Sequence, residues 1–486
     1  MLRIILSFIF SLSIVFSQNT SEIRKLINAG QSSEKLSQSQ WSLSARYVES
    51  GRKIINYNSQ QNLAPASGLK LVTTAAALDI LGENYKFNTS VYYDGEINSN
   101  GILNGNIFIR GGSDPTLGSD LAEGSLPLDS LMIFITSKIS EAGIKKINGS
   151  VIADPNRFQG MNLPRRWIWE DIGNYYGAQT SGLCINDNLY HIYFEPNKNI
   201  NGKAKFLRTE PVIPDLKFIN NMLTGSKNSG DNGYVFCPPN YYIAELKGSI
   251  PQGKPEFKIK GSIPNPPLFA VQYLKTHLEK KGIFVEGDTF VSQKPVSYVS
   301  KNEICNIVSP PVKEIVYIIN KKSYNLYTEQ ILREMGFRVF GKATTENGIE
   351  AVKQFLKRNG IDTEYFNIFD GSGLSRSNIV TTSLMTDLLI AVSKKSYFES
   401  FYNSLGVAGK TDDLSSFKYF GIGTKIEKNA RIKSGYMTGV RSHSGYVTDS
   451  KGRLIAFSFI ANNFLGSTSF ISKKHREILI ELAKMK

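Results

Sequence analysis

Apolar positions along the chain change period several times, and each change marks an element. Arg3 precedes the apolar run Ile4 to Phe16, which ends among small residues, the pattern of a cleavable secretory signal over residues 1–17. The run falls short of the roughly 20 apolar residues that a membrane span needs. No cysteine follows it to carry a lipid. Ile23 to Ala29 predicts a helix closing on Gly30, and Trp41 to Asn58 predicts a strand pair around the turn Glu49-Ser50-Gly51-Arg52. From Lys70 to Leu81 the chain is rich in alanine and leucine and stops at Gly82, as a buried helix does. Between Asn84 and Cys305 the pattern becomes short alternating runs broken by Gly, Asn, Pro and Ser, which predicts strand-rich modules. Helical spacing returns after Ser309-Pro310-Pro311 and continues through Ile315 to Met335; it recurs at Thr345 to Lys357 and Ser383 to Ser393. Ala430 to Asn463 predicts two long strands joined at Asp449-Ser450-Lys451-Gly452, with a closing helix from Ser472 to Lys484.

The simplest assembly of these elements is one α/β domain built from both ends of the chain, interrupted after its first helix by a large strand-rich insertion. A chain of 486 residues is long enough for two or three hydrophobic cores. The formal charge of +15 favours anionic neighbours. Export removes nucleic acid from that set and leaves a solvated, lysine-rich surface with peripheral attraction to the cell envelope. Cys184, Cys237 and Cys305 are odd in number and widely spaced, which suits small buried hydrophobes, and at most one pair could bridge. His191, His277, His443 and His475 are scattered without metal-ligand spacing, so no metal and no cofactor is expected.

Three short patterns carry chemistry. Ser67-Gly68-Leu69-Lys70 places a hydroxyl and an amine one helical turn apart, at the start of a helix whose N-terminus favours developing negative charge. A desolvated lysine among other cations can lose its proton near neutral pH and take that of the serine. Ser32 with Lys35, Ser50 with Lys53, and Ser415 with Lys418 share the spacing, so context singles out Ser67: Ala64-Pro65-Ala66 precedes it and leads into the alanine-rich helix. Ser323-Tyr324-Asn325 opens an apolar helix and offers a second hydroxyl to shuttle a proton, with an amide to hold a carbonyl. Lys433-Ser434-Gly435 starts the C-terminal hairpin. There a lysine and a hydroxyl suit a terminal carboxylate, the glycine admits substrate backbone, and the N–H of Tyr436 joins that of Ser67 as a candidate oxyanion donor. Two decoys fail. Gly409-Lys410-Thr411 has Ser404 where a phosphate loop needs its first glycine, and His443 lacks a Gly-x-Ser-x-Gly elbow elsewhere in the chain.

In the order Ser67, Ser323, Lys433 these patterns resemble the three motifs of the penicillin-recognising serine enzymes. The segments Pro65-Ala66-Ser67-Gly68-Leu69-Lys70-Leu71, Arg110-Gly111-Gly112-Ser113-Asp114-Pro115-Thr116-Leu117 and Asn320-Lys321-Lys322-Ser323-Tyr324-Asn325-Leu326-Tyr327 resemble those of the DacB-type D-alanyl-D-alanine carboxypeptidase/endopeptidase family, the class C low-molecular-mass penicillin-binding proteins. So do Asp370-Gly371-Ser372-Gly373-Leu374-Ser375-Arg376 and Lys433-Ser434-Gly435-Tyr436-Met437-Thr438-Gly439-Val440-Arg441, and the resemblance runs from about residue 35 to the end.

The resemblance implies an α/β (α+β) serine β-lactamase/transpeptidase-like domain over residues 18–86 and 306–486, with two strand-rich domains inserted after the nucleophile helix. One inserted domain would take residues 87–178 and 265–305, the other residues 179–264. It further implies Ser67 as acyl-ester nucleophile, Lys70 as proton acceptor, Ser323 and Asn325 as second motif, and Lys433 with Ser434 as carboxylate-binding third. Ser434 stands where threonine is more usual, and Tyr324 where aspartate is frequent, at the mouth of the cleft. Arg376 would meet a free carboxylate of the stem peptide, and Asp171, in the segment Trp167 to Ala178, would suit an amino group such as the distal end of diaminopimelate. The implied partners are peptidoglycan peptides and β-lactam antibiotics as acylating inhibitors. Two rivals make different predictions: a β-lactamase would deacylate quickly, and a non-catalytic wall-binding scaffold of the same fold would release no D-alanine.

Overall fold

The computed structural model describes residues 20–486, so the signal expected over residues 1–17 lies outside the described residues. Two units separate along the chain. The first takes the described residues through Glu83, Val316–Tyr324 and Ile349–Lys486; the second takes Asn84–Ile315 and Asn325–Gly348.

The first unit is built on a six-stranded antiparallel sheet. Its order is Gly406–Val407, Arg431–Met437, Val440–Thr448, Leu454–Asn462, Gln40–Tyr47, Lys53–Tyr57, so the chain's two ends share one sheet, with Gln40 opposite Asn462 and Tyr47 opposite Ile455. Alternation along Gln40–Tyr47 explains the two faces. Trp41, Leu43 and Ala45 join Phe457 and Phe459 in a core closed by Ile23 and Ile27 of a helix over residues 20–31 and by Ile471, Ile478 and Leu482 of the helix Thr468–Ala483. On the other face Ser42 and Ser44 bond through their hydroxyls to Thr382 and Thr386 of the helix Thr382–Val392, at 2.6 and 2.9 Å. A slip of one residue would drive Trp41 into this hydroxyl seam, which fixes the register.

The C-terminal segment expected as two strands contains three, because the chain also reverses at Thr438-Gly439, where Gly439 has φ 75°. The helical spacing from Ile315 to Met335 is likewise divided, into helices Val312–Lys322 and Asn325–Phe340, by Ser323 at φ 60°. Left-handed backbone at a residue with a Cβ ends a helix locally, and apolar periodicity carries no trace of it.

The second unit contains the expected short strands. Its largest sheet has the order Thr289–Val291, Val151–Asp154, Ile107–Arg110, Asn88–Tyr93, Glu303–Val308. It also contains two long helices that the strand-rich reading passed over, Leu128–Glu141 and Pro266–Lys280. Leu128, Leu131, Met132, Ile135 and Ile139 recur at helical spacing and are buried, so the signal was present. Among the described residues no helix is long and apolar enough to cross a membrane.

Candidate active site

Ser67 lies in a short 3-10 turn, Ala66–Leu69, that runs into the α-helix Lys70–Ile80. Ala66 has φ 47°, a left-handed conformation unusual for alanine and of the kind that clusters at functional sites. Lys70 is fully buried, and its Nζ donates to Ser67 Oγ at 2.9 Å and to the carbonyl of Ser372 at 2.7 Å. The first motif is therefore assembled as contact, not merely as spacing.

The Ser372 carbonyl comes from the loop Asp370 to Asn378, which the buried Asp370 carboxylate folds on itself. Its two oxygens accept from Gly373 N, Ser375 N and Asn378 Nδ2 at 2.8, 2.6 and 2.7 Å. Thr73 Oγ1 donates to the Gly371 carbonyl at 2.7 Å, one turn past Lys70. Gly373 has φ 83°, and a Cβ there would lie 1.9 Å from the Ala66 carbonyl. This loop thus fixes the lysine through a backbone oxygen. Sequence reasoning placed the loop beside the cleft through Arg376, whose side chain is exposed, and missed Ser372, because a carbonyl acceptor has no residue-type signature.

Ser323 and Lys433 form a second hydroxyl–amine contact. Lys433 Nζ donates to Ser323 Oγ at 2.9 Å and to the Ser434 carbonyl at 2.7 Å. Burial, then repulsion from Lys70 and Arg441, holds its pKa well below the usual lysine range. That repulsion also places the two lysines in one electrostatic site. Lys433 makes no ion pair with an acid among the described residues. A negative charge placed beside it would favour its charged form.

The left-handed turn at Ser323 is held from the preceding helix. Asn320 donates to Ser404 Oγ at 2.8 Å and to Thr74 Oγ1 at 3.3 Å. Lys321 pairs with Asp413, both side chains nearly inaccessible. Burial alone would raise the Asp413 carboxyl, but the Lys321 ammonium and Ser415 hold it below the usual carboxylate range. Removing one partner of such a pair strands a buried charge. Asp413→Ala is expected to destabilise the fold by about 3–5 kcal/mol, measured by denaturant unfolding. A loss under about 1 kcal/mol would show that the pair is effectively solvated.

On the strand Arg431–Met437, partners lie on both sides only at Arg431 and Ile432, which meet Val407 and Gly406. From Lys433 to Met437 the described residues pair one edge only, with Ser444 to Val440. Tyr436, 61% exposed, stands on that free stretch. Gly435 faces inward: a Cβ there would lie 2.4 Å from both the Pro65 carbonyl and Ser442 Oγ, and 2.9 Å from Gly68 N. Ser442 Oγ in turn donates to the Pro65 carbonyl at 2.7 Å. Glycine is required here so that the strand can touch the turn holding Ser67. Gly435→Ala is expected to cost about 1–3 kcal/mol and to slow chemistry at Ser67; thermal unfolding with acylation kinetics checks both, and a wild-type result in each would contradict the contact.

The remaining candidates are placed as follows. Asn325 opens the second unit's helix Asn325–Phe340, and its Nδ2 donates to the Tyr176 carbonyl at 2.8 Å. Asp171 lies half-buried in the same segment as Tyr176, its carbonyl accepting from Asn174 N at 3.3 Å. Tyr324 is buried, 8% exposed. His443 is fully buried and bonds Nδ1 to Nδ1 with His475 at 2.9 Å, so its ring is committed to a structural pair. Among the described residues no cluster of three or more His, Cys, Asp or Glu side chains could hold a metal ion, and all three cysteines are free thiols.

Known proteins are similar to this chain over most of its length. The chain is 27% identical over 425 residues to a D-alanyl-D-alanine carboxypeptidase of Actinomadura sp. (strain R39), covering 86% of this chain and 76% of that one. It is 25% identical over 486 residues to the D-alanyl-D-alanine carboxypeptidase DacB of Haemophilus influenzae, covering 99% and 95%. Its fold matches the crystal structure of penicillin binding protein 4 (dacB) from Haemophilus influenzae with a TM-score of 0.80 at 23% identity, over 95% of this chain and 99% of that one. The model of the D-Ala-D-Ala carboxypeptidase 3 (S13) family matches residues 23–485, and the chain is a member of that family of serine hydrolases.

Proposed function

We propose that the chain is an exported serine-type DD-carboxypeptidase and DD-endopeptidase that cleaves peptidoglycan stem peptides and cross-links through an acyl-enzyme on Ser67. The observation that carries this reading is the 2.9 Å contact between Lys70 Nζ and Ser67 Oγ, close to a second buried amine held against Ser323. Ser67 Oγ attacks the D-alanine carbonyl while Lys70 accepts its proton. Lys70 gives that proton up through Ser323 to the departing amine, so that D-alanine or the cross-linking amine leaves and Lys70 is neutral again. Water then attacks the ester while Lys70 takes its proton, and Lys70 returns that proton to Ser67 Oγ as the ester bond breaks, which restores both groups. The N–H groups of Ser67 and Tyr436 would face the oxyanion, and the free edge beyond Lys433 suits an extended peptide that adds as a strand. Lys433 with Ser434 would bind the terminal carboxylate, and Asn325 a substrate carbonyl. Arg376 and Asp171 are proposed to meet charged groups of the stem peptide. Penicillin would acylate Ser67 by the same attack.

Both activities use one chemistry and differ in the leaving amine. Incubation of the purified protein with a D-Ala-D-Ala pentapeptide and with cross-linked dimeric muropeptides tests the reading: D-alanine and monomeric muropeptides are the expected products. Release of neither, with penicillin unlabelled, would refute it. Turnover of penicillin faster than of peptide would favour the β-lactamase rival.

A further inference from the structure

The second unit contains a cleft of about 490 Å³ that the acyl-transfer chemistry does not use. That volume falls within the range of small-molecule sites, roughly 300–1,000 Å³. Its lining is chemically uniform: Asn156, Asn162, Gln179, Asn240, Asn265 and Gln293 supply six amides, Ser181 and Ser292 supply hydroxyls, and no charged side chain contributes. Phe158 and Pro266 add apolar faces.

The amides are oriented by the protein, with bonding capacity left over. Asn265 Nδ2 donates to Asn240 Oδ1 at 2.9 Å, and Asn265 Oδ1 caps the helix Pro266–Lys280 through Leu268 N at 3.0 Å, which leaves Asn240 Nδ2 as a donor without a partner among the described residues. Asn156 Nδ2 is spent on Asp154, Ser292 and Lys294 at 2.7, 3.1 and 2.9 Å, leaving its oxygen as an acceptor. Ser181, 2% exposed, accepts from Leu183 N at 3.2 Å and keeps its O–H to donate. Asn162 is exposed and its side chain makes no hydrogen bond within the described residues. A neutral ligand rich in both donors and acceptors matches this set. A charged one would be desolvated without a counter-ion.

We propose that this cleft binds the N-acetylated amino-sugar backbone of the wall polymer whose peptides the active site cleaves. The inference rests on the wall-peptidase reading above. Hydroxyls and acetamido groups are neutral and pair with amides in both directions, and sugar C–H faces can lie on Phe158 and Pro266. Stem peptides carry free carboxylates and amines, which a cleft without charge does not match.

Calorimetric titration of the full chain with tetra-N-acetylchitotetraose, cellotetraose and glycan-free pentapeptide tests the proposal. The acetylated tetramer is expected to saturate the protein and to bind more tightly than cellotetraose. Asn162→Ala with Gln293→Ala is expected to weaken it by about tenfold or more, with penicillin labelling at the wild-type rate as proof of a folded protein. No binding to the wild type, undiminished binding to the double variant, equal binding of cellotetraose, or displacement by the pentapeptide would each overturn the assignment. Absent penicillin labelling with saccharide binding intact would refute the acyl-enzyme reading and leave the cleft assignment standing.

Discussion

Ser67→Ala is expected to eliminate covalent labelling by fluorescent penicillin and to lower D-alanine release by on the order of 10⁶-fold, with the unfolding midpoint little changed. On the acyl-enzyme reading proposed above the chemical loss is large because alanine supplies no oxygen at this position, and the Ser323 hydroxyl is held by Lys433 Nζ at 2.9 Å. The structural loss is small because Lys70 keeps its bond to the Ser372 carbonyl at 2.7 Å. Mass spectrometry of the penicillin-treated protein and its Ser67→Ala variant reads the outcome directly. A wild-type rate of adduct formation in the variant would move the nucleophile elsewhere. Lys70→Ala should also abolish acylation, but with a stability cost, since it empties a buried site. The two variants therefore differ in melting behaviour while sharing a chemical defect.

Acid is expected to destabilise the protein through a pair of buried histidines. Trp41 Nε1 donates to His475 Nε2 at 3.0 Å, and since tryptophan only donates, the neutral His475 carries its proton on Nδ1 and gives it to His443 Nδ1 at 2.9 Å. His443 must then hold its own proton on Nε2, which has no hydrogen-bond partner among the described residues and lies among the rings of Phe417 and Phe420. Protonating either ring breaks this chain. Burial, then the nearby Arg441, pushes His475 down to about 3, and burial with Arg441, His475 and Lys433 holds His443 well below its ordinary value. In the unfolded chain both titrate near 6.5. Below that value the unfolded state binds more protons, so stability present at neutral pH is lost as pH falls, toward about 3 for His475. The slope is about 1.4 kcal/mol per pH unit for each histidine.

Asp114 and Asp187 act in the opposite direction. Burial raises both to about 6, so the folded state holds extra protons between there and the unfolded carboxylate value and gains stability as pH falls through that window. The histidine contribution is therefore read as a difference. His475→Gln can still accept from Trp41 and donate to His443. Relative to its own value at pH 7, its unfolding free energy should fall less than that of the wild type, by about 3 kcal/mol near pH 4.5. Parallel pH profiles for the two proteins would dismiss the pair as the acid-sensitive element.

Much of the site was legible because its chemistry is local in sequence. Ser67 and Lys70 meet because a helical turn brings positions three apart onto one face, and that geometry is independent of the rest of the chain. What could not be read were contacts made by backbone atoms and by steric exclusion. The Ser372 carbonyl on Lys70, the Asp370 carboxylate that folds its loop, and the demand for glycine at 435 depend on which segments meet, not on residue type. The two helices of the insertion carried a readable signal, since Leu128, Leu131, Met132, Ile135 and Ile139 recur at helical spacing, but the short alternating runs around them masked it.

Residue identity alone gave the Ser67–Lys70 spacing and the change of periodicity after the first long helix, because helical spacing and turn chemistry act over a few residues; the three motifs and their order came from resemblance to a known family. Tertiary structure decided that Lys433 meets Ser323, that His443 pairs with His475 and not with a nucleophile, and that an uncharged cleft forms in the inserted unit. Those outcomes turn on sheet register and on burial. Both are set by contacts between residues tens to hundreds of positions apart, where no local pattern constrains the partner.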